Sequence, residues 1–240
     1  MSGQHVADQC SLREKVTLGP TFDAIRGMKI AFSMDLDYYE IAPDVQKNTQ
    51  DTVRALKRLG ATVDAVSLGW NYGVLDTWMT RWEGIFADIG GPLLPRWRYE
   101  MTPFCVQLVE NGLAHSAPRF YHTNVSRGDM YKTLGPVLEK YDALICPTLA
   151  VSSLPADHDD GGNDLTINGK SVPNYLGWTL TYPFNLMAWC PAMSVPSGFG
   201  ATGMPTAVQI VGRTFDDPTV FRIAAALEQA RPWRGRQPAL

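Results

Sequence analysis

The chain has no apolar run approaching the roughly 18 to 20 residues that a membrane-spanning helix requires. Its first residues, MSGQHVADQC, also lack the charged-then-apolar pattern of a secretory signal. It has no C-x-x-C pair: Cys10, Cys105, Cys146 and Cys190 lie far apart, so neither zinc-ligand spacing nor a redox dithiol can be read. His5, His115, His122 and His158 form no H-E-x-x-H or similar group, and the acidic run at Asp157, His158, Asp159 and Asp160 does not match a calcium loop. No metal and no other cofactor is expected. Phosphate-binding loops are missing too, since DIGGPLLP and DDGGNDL do not supply G-x-x-x-x-G-K followed by Ser or Thr. Positive charge is not in excess. The 21 basic residues are scattered and outnumbered by 24 acidic ones, for a net charge of -3, which argues against nucleic acid or an anionic membrane surface as partner. A soluble, cytoplasmic protein is the expectation.

What is present is apolar material for a core: 45% of 240 residues are hydrophobic. Residues 27–36, GMKIAFSMDL, read as a strand, and Val45, Thr49, Thr52, Val53, Leu56 and Leu59 follow at helical spacing. Gly60 ends that helix and TVDAVSLG alternates as a second strand, so residues 27–70 form a βαβ unit with parallel pairing. Residues 71–140 are mostly helical, with Trp78, Trp82 and Phe86 as a core stripe and Val106, Leu108, Val109 and Leu113 further on. YDALICPTLA, residues 141–150, is a buried strand broken at Pro147, and Thr148 stands at the strand end where an α/β sheet commonly presents site residues. An exposed excursion follows, carrying a small hairpin, LTINGKSV, that turns at Asn168 and Gly169. Residues 175–186 are a dense aromatic and apolar segment. MSVPSGF and MPTAVQIVG are extended segments joined through GATG, and a terminal helix capped by Asp216 carries Phe221, Ala225 and Leu227 on its apolar face. With no repeat and no linker, residues 1–240 read as one domain or part of one, residues 1–26 being a lead-in.

Ser194 and Ser197 are the candidate nucleophiles in this small-residue setting. Neither sits on a G-x-S-x-G turn, and the nearest basic residue downstream, Arg213, cannot serve as a base at neutral pH. They read as parts of a scaffold strand and turn. A self-contained hydrolase would need a remote lysine or histidine folded against one of them.

Three stretches in order carry a family resemblance: T-x-P-x-N-L at Thr181 to Leu186, C-P-A-M-S-V-P-S-G at Cys190 to Gly198, and G-M-P-T-A-V-Q-I-V-G at Gly203 to Gly212. With the strand near Gly27, the L-G-A-T-V entry near Leu59, D-A-L-I-C-P-T-L at Asp142 to Leu149 and the D-D-P-T-V helix start, they resemble the carboxyl-terminal half of the amidase signature family over residues 11–233. Ala207 departs from the glycine usual in that strand. The resemblance implies an α/β fold with a mixed sheet flanked by helices.

It also implies hydrolysis of a small-molecule amide by a lysine and two serines set in a glycine- and serine-rich segment of the amino-terminal half. No such segment occurs here, and Lys15, Lys29, Lys47, Lys57, Lys132, Lys140 and Lys170 match no family lysine position. The resemblance therefore assigns no catalytic residue to this chain. It implies a partial amidase domain, as though a protein of about twice the length had been divided. The chain's part is the substrate wall, and its partner is an amino-terminal half or another copy covering an exposed face. Trp178 resembles a specificity position that some relatives fill with an acidic group. An indole there favours a neutral, apolar or aromatic amide, with Trp178, Thr181, Tyr182 and Thr148 as substrate-binding residues. Ordinary core packing is the alternative for Trp178 and Tyr182. No arginine precedes Arg119 in TPFCVQLVENGLAHSAPR, which disfavours an acidic substrate. The competing reading of the whole chain is a non-catalytic binding or assembly module on the same fold.

Overall fold

The computed structural model describes residues 3–187 and 189–235. β1 (Lys29–Phe32) leads into α1 (Pro43–Arg58), which ends before β2 (Thr62–Ala65). Pro43 at the first helical position and Lys57 and Arg58 in the last turn suit the two ends of α1, and Gly60 reverses the chain with φ +89°. Then come α2 (Gly73–Gly90), the one-turn α3 (Leu94–Trp97), α4 (Pro103–Ala114) and the long α5 (Ala117–Lys140). Thr102 and Ser116 cap α4 and α5 through their side-chain oxygens. β3 (Ala143–Pro147) follows, then the hairpin of β4 (Leu165–Ile167) and β5 (Lys170–Val172), α6 (Tyr182–Leu186), β6 (Ala192–Phe199), β7 (Pro205–Gly212) and α7 (Asp217–Ala230).

The main sheet runs β2-β1-β3-β7-β6. β1 is parallel to β2 and β3, whereas β7 is antiparallel to both β3 and β6, so the sheet is mixed, as the family resemblance implies. The period of two divides its side chains between two cores. Ile30, Ile145, Val195, Val208 and Ile210 face α1 and α7, while Ala31, Leu144, Cys146 and Val211 face α5, α6 and the loops around them. Burying each Ile, Leu or Val among them contributes about 1.5–3 kcal/mol relative to exposure. The hairpin turns where expected, with Asn168 at φ +51° and Gly169 at φ +78°, the paired positive angles of a tight type I′ turn.

Three expectations need correction. The buried face of α7 is Val220, Ile223, Ala224 and Leu227, whereas Phe221 is exposed and Ala225 half-exposed. The Trp78, Trp82 and Phe86 stripe is half-buried: Trp78 stacks on Trp82 at 5.5 Å between centroids, Trp82 meets Phe86 edge-to-face at 5.2 Å, and of the three only Trp78 packs on the core. Leu113 is exposed, although Val106, Leu108 and Val109 on the same helix are buried. α4 meets α2 at Gly112, where a Cβ would lie 2.0 Å from the Glu83 carbonyl oxygen, and the last turn projects past that contact. The two helices are clamped there by the buried Glu83 carboxylate, which His115 Nε2 meets at 2.6 Å and Asn111 Nδ2 at 2.9 Å. Among the described residues no helix is long and apolar enough to cross a membrane.

Candidate functional site

The parallel strands β1, β2 and β3 end at one edge of the molecule, and the chain leaving β3 there is held by a short antiparallel bridge between Leu149 and Thr179. Leu180 N donates to the Thr148 carbonyl at 3.0 Å and Ala150 N to the Trp178 carbonyl at 2.7 Å. Thr148, Trp178 and Thr181 are thereby fixed along two adjoining segments. Gln209 secures the arrangement from beneath. It is 2% exposed in β7, and its Nε2 donates to the carbonyls of Leu180 at 2.7 Å and Pro147 at 3.2 Å.

The four candidate substrate residues differ in environment. Thr148 is half-exposed and its hydroxyl lies 2.8 Å from that of Ser194 on the outer face of β6. Thr181 is half-exposed at the start of α6. Trp178 is half-buried against the core, and its indole Nε1, shielded from solvent, has no hydrogen-bond partner among the described residues. Tyr182 is 2% exposed; its hydroxyl lies 3.1 Å from that of Tyr38, which donates to the Tyr39 hydroxyl at 3.1 Å. Tyr39 in turn donates to the Thr179 carbonyl at 2.7 Å, so the phenols tie the segment after β1 to the Trp178 segment. Burial pushes the Tyr182 phenol up to about 12, and burial raises Tyr38 and Tyr39 well above the ordinary range as well. All three are neutral hydrogen-bonding groups at physiological pH.

Sequence reasoning missed Gln209, Tyr38 and Tyr39. A glutamine facing inward in an otherwise apolar strand demands partners, which is the one signal that could have exposed it. Arg127 was also missed. It lies on α5, donates through Nε to the Leu186 carbonyl, and borders a mostly apolar hollow of about 410 Å³ with Tyr131, Met187 and Trp189. Trp178, Thr181, Tyr182 and Thr148 do not line that hollow.

Neither serine is equipped as a nucleophile. The Ser194 hydroxyl meets Thr148, and that of Ser197, 1% exposed, meets Thr206 Oγ1 at 2.8 Å; among the described residues neither has a lysine or histidine as hydrogen-bond partner. Ser197 stands inside β6 at its bulge, not in a turn as the sequence suggested. The buried thiols of Cys146 and Cys190 are pushed up by desolvation, which keeps them as unreactive packing groups. Among the described residues no three His, Cys, Asp or Glu side chains converge as a metal site.

The described residues thus form a mixed sheet with helices on both faces and hold no nucleophile-base pair. A bacterial aryl acylamidase of the amidase signature family superposes on 96% of the chain with a TM-score of 0.83 at 24% identity, and the chain covers 49% of it. The amidase family model matches residues 8–221, and the chain belongs to the amidase signature family. An acylamidase of Rhodococcus erythropolis is 30% identical over all of the chain and 50% of its own length. One subunit of the glutamyl-tRNA(Gln) amidotransferase of Geobacillus sp. (strain WCH70) is 28% identical over 90% of the chain and 47% of its own length. The chain spans about half the length of the curated relatives it matches.

Proposed function

We propose that residues 1–240 are the scaffold and substrate-pocket wall of an amidase that hydrolyses a neutral amide to an acid and ammonia or an amine. The lysine and serines that do the chemistry come from sequence outside these residues. The observation that carries this reading is the 148–150 to 178–180 bridge. It holds Thr148 and Thr181, both half-exposed, on the two segments that also carry Trp178, while among the described residues neither Ser194 nor Ser197 has a lysine or histidine partner. The aromatic surroundings favour an apolar or aryl group on the amide. The half-length match to an acylamidase supports a missing catalytic portion.

The test is Trp178→Ala in enzyme completed with the other half. Losing an aromatic contact should lower kcat/KM for aryl amides by roughly 10- to 100-fold and for small aliphatic amides far less. An unchanged kcat/KM across the whole panel removes Trp178 from the pocket.

A further inference from the structure

We propose that the hollow beside Arg127, between α5, α6 and the start of β6, binds a small carboxylic acid with an aryl or alkyl body. Its rim carries uncompensated positive charge. Arg81 on α2 and Arg127 on α5 both donate through Nη1 to the one oxygen of the Asn124 side chain, at 3.3 and 3.4 Å. Both guanidiniums are half-buried, and among the described residues neither is paired with a carboxylate. The acids nearby in sequence are committed elsewhere: Asp76 to Arg119, Glu83 to His115 and Asp129 to Lys132. Burial, and then the nearness of Arg127, hold Arg81 below its ordinary value. Two like charges drawn partly out of water with no counter-ion leave a place for an anion.

Donors for that anion stand on the rim. Arg127 spends Nε on the Leu186 carbonyl and Nη1 on Asn124, while its Nη2 has no hydrogen-bond partner among the described residues. Asn124 turns its oxygen to the two arginines, so its Nδ2 is a second donor without a partner among the described residues. Both residues line the hollow. The neighbouring hollow at Arg119 offers no such site, because Asp76 lines it too and already pairs with that arginine.

The remaining walls are mostly apolar. They enclose about 410 Å³ between Tyr131, Leu186, Met187, Trp189 and Cys190, a size that suits a small organic ligand. Gly128, one turn after Asn124 on α5, keeps the space open: a Cβ there would meet nothing within 4 Å. Glycine inside a helix is destabilising, and here it leaves the floor of the hollow clear. A carboxylate on an apolar body matches this division, with the guanidinium taking the charged end and the aromatic walls the body. A bare inorganic anion would leave those walls unused. Hydrolysis of an aryl amide releases an acid of this class, so on the reading proposed above the hollow holds product; that link rests on the hydrolytic reading, whereas binding does not.

Titration of the isotope-labelled chain with phenylacetate, benzyl alcohol and acetate, followed by amide shifts, tests the assignment. Phenylacetate should saturably shift the amides of residues 124–131, 186, 187, 189 and 190, and bind at least roughly 10-fold more tightly than the other two. Asn124→Asp, at an exposed position, sets a carboxylate beside both guanidiniums and should weaken phenylacetate at least roughly 10-fold. Gly128→Leu, which favours the helix while filling the hollow, should weaken it by at least roughly 10-fold as well. Equal affinity for phenylacetate and benzyl alcohol, undiminished affinity in both variants, or shifts confined to residues 148 and 178–182 overturn the inference. Absence of saturable binding overturns it outright. Loss of phenylacetate binding once the other half of an amidase is added puts a protein side chain in the hollow and overturns the choice of occupant. No turnover is read in these titrations, so a completed enzyme without activity removes only the link to product.

Discussion

The side-chain amide of Gln209 bonds the Leu180 carbonyl at 2.7 Å and so anchors the candidate substrate segment to the centre of the sheet. The same nitrogen reaches Pro147, the last residue of β3. Replacing it with leucine leaves both carbonyls buried without a donor.

Gln209→Leu should therefore destabilise the chain by about 1–3 kcal/mol, read from the urea midpoint at unchanged slope. A midpoint equal to that of the parent protein contradicts the anchoring role.

The phenol cluster makes an alkaline prediction. Tyrosine titrates near 10 when unfolded, whereas folded Tyr182 is pushed up to about 12. A raised value means that the folded state favours the neutral phenol. Its contribution is complete below pH about 10 and is lost as pH rises toward about 12. Tyr182→Phe should cost about 1 kcal/mol at pH 8 through the lost bond to Tyr38, and should flatten the fall in stability between pH 10 and 12. Equal alkaline slopes in the two proteins contradict the assignment.

The two serines should be dispensable for chemistry. In enzyme completed with the other half, Ser194→Ala and Ser197→Ala should keep kcat within roughly 10-fold, because among the described residues neither hydroxyl is paired with a base. Ser197→Ala should cost about 1 kcal/mol of stability, since the Thr206 hydroxyl it meets keeps the Asn48 bond. A loss of a thousandfold or more in either variant contradicts the scaffold role.

Much of this architecture is legible locally. Pro43 and Gly60 bracket α1, Asn168 and Gly169 mark the hairpin turn, and Asp216 accepts from Thr219 N as the cap of α7. The inward face of α7 is easily misread because Phe221 is the bulkiest apolar residue on that helix. The true stripe, Val220, Ile223, Ala224 and Leu227, keeps the i, i+3, i+4, i+7 spacing with smaller side chains. The site is less legible than the fold. Tyr182 meets Tyr38, Gln209 meets Pro147 and Leu180, and Thr148 meets Ser194, all across long stretches of chain that no local pattern connects. Motif resemblance singles out the Trp178 to Tyr182 segment as a candidate, and the folded sheet shows what holds that segment in place.

The most direct test of the central claim is hydrolysis of a panel of neutral aryl and aliphatic amides by the purified chain, and again after the other half of an amidase is added. Activity only in the mixture, strongest on aryl amides, is the expected result. Hydrolysis by the chain alone contradicts the account and returns Ser194 and Ser197 to consideration as nucleophiles.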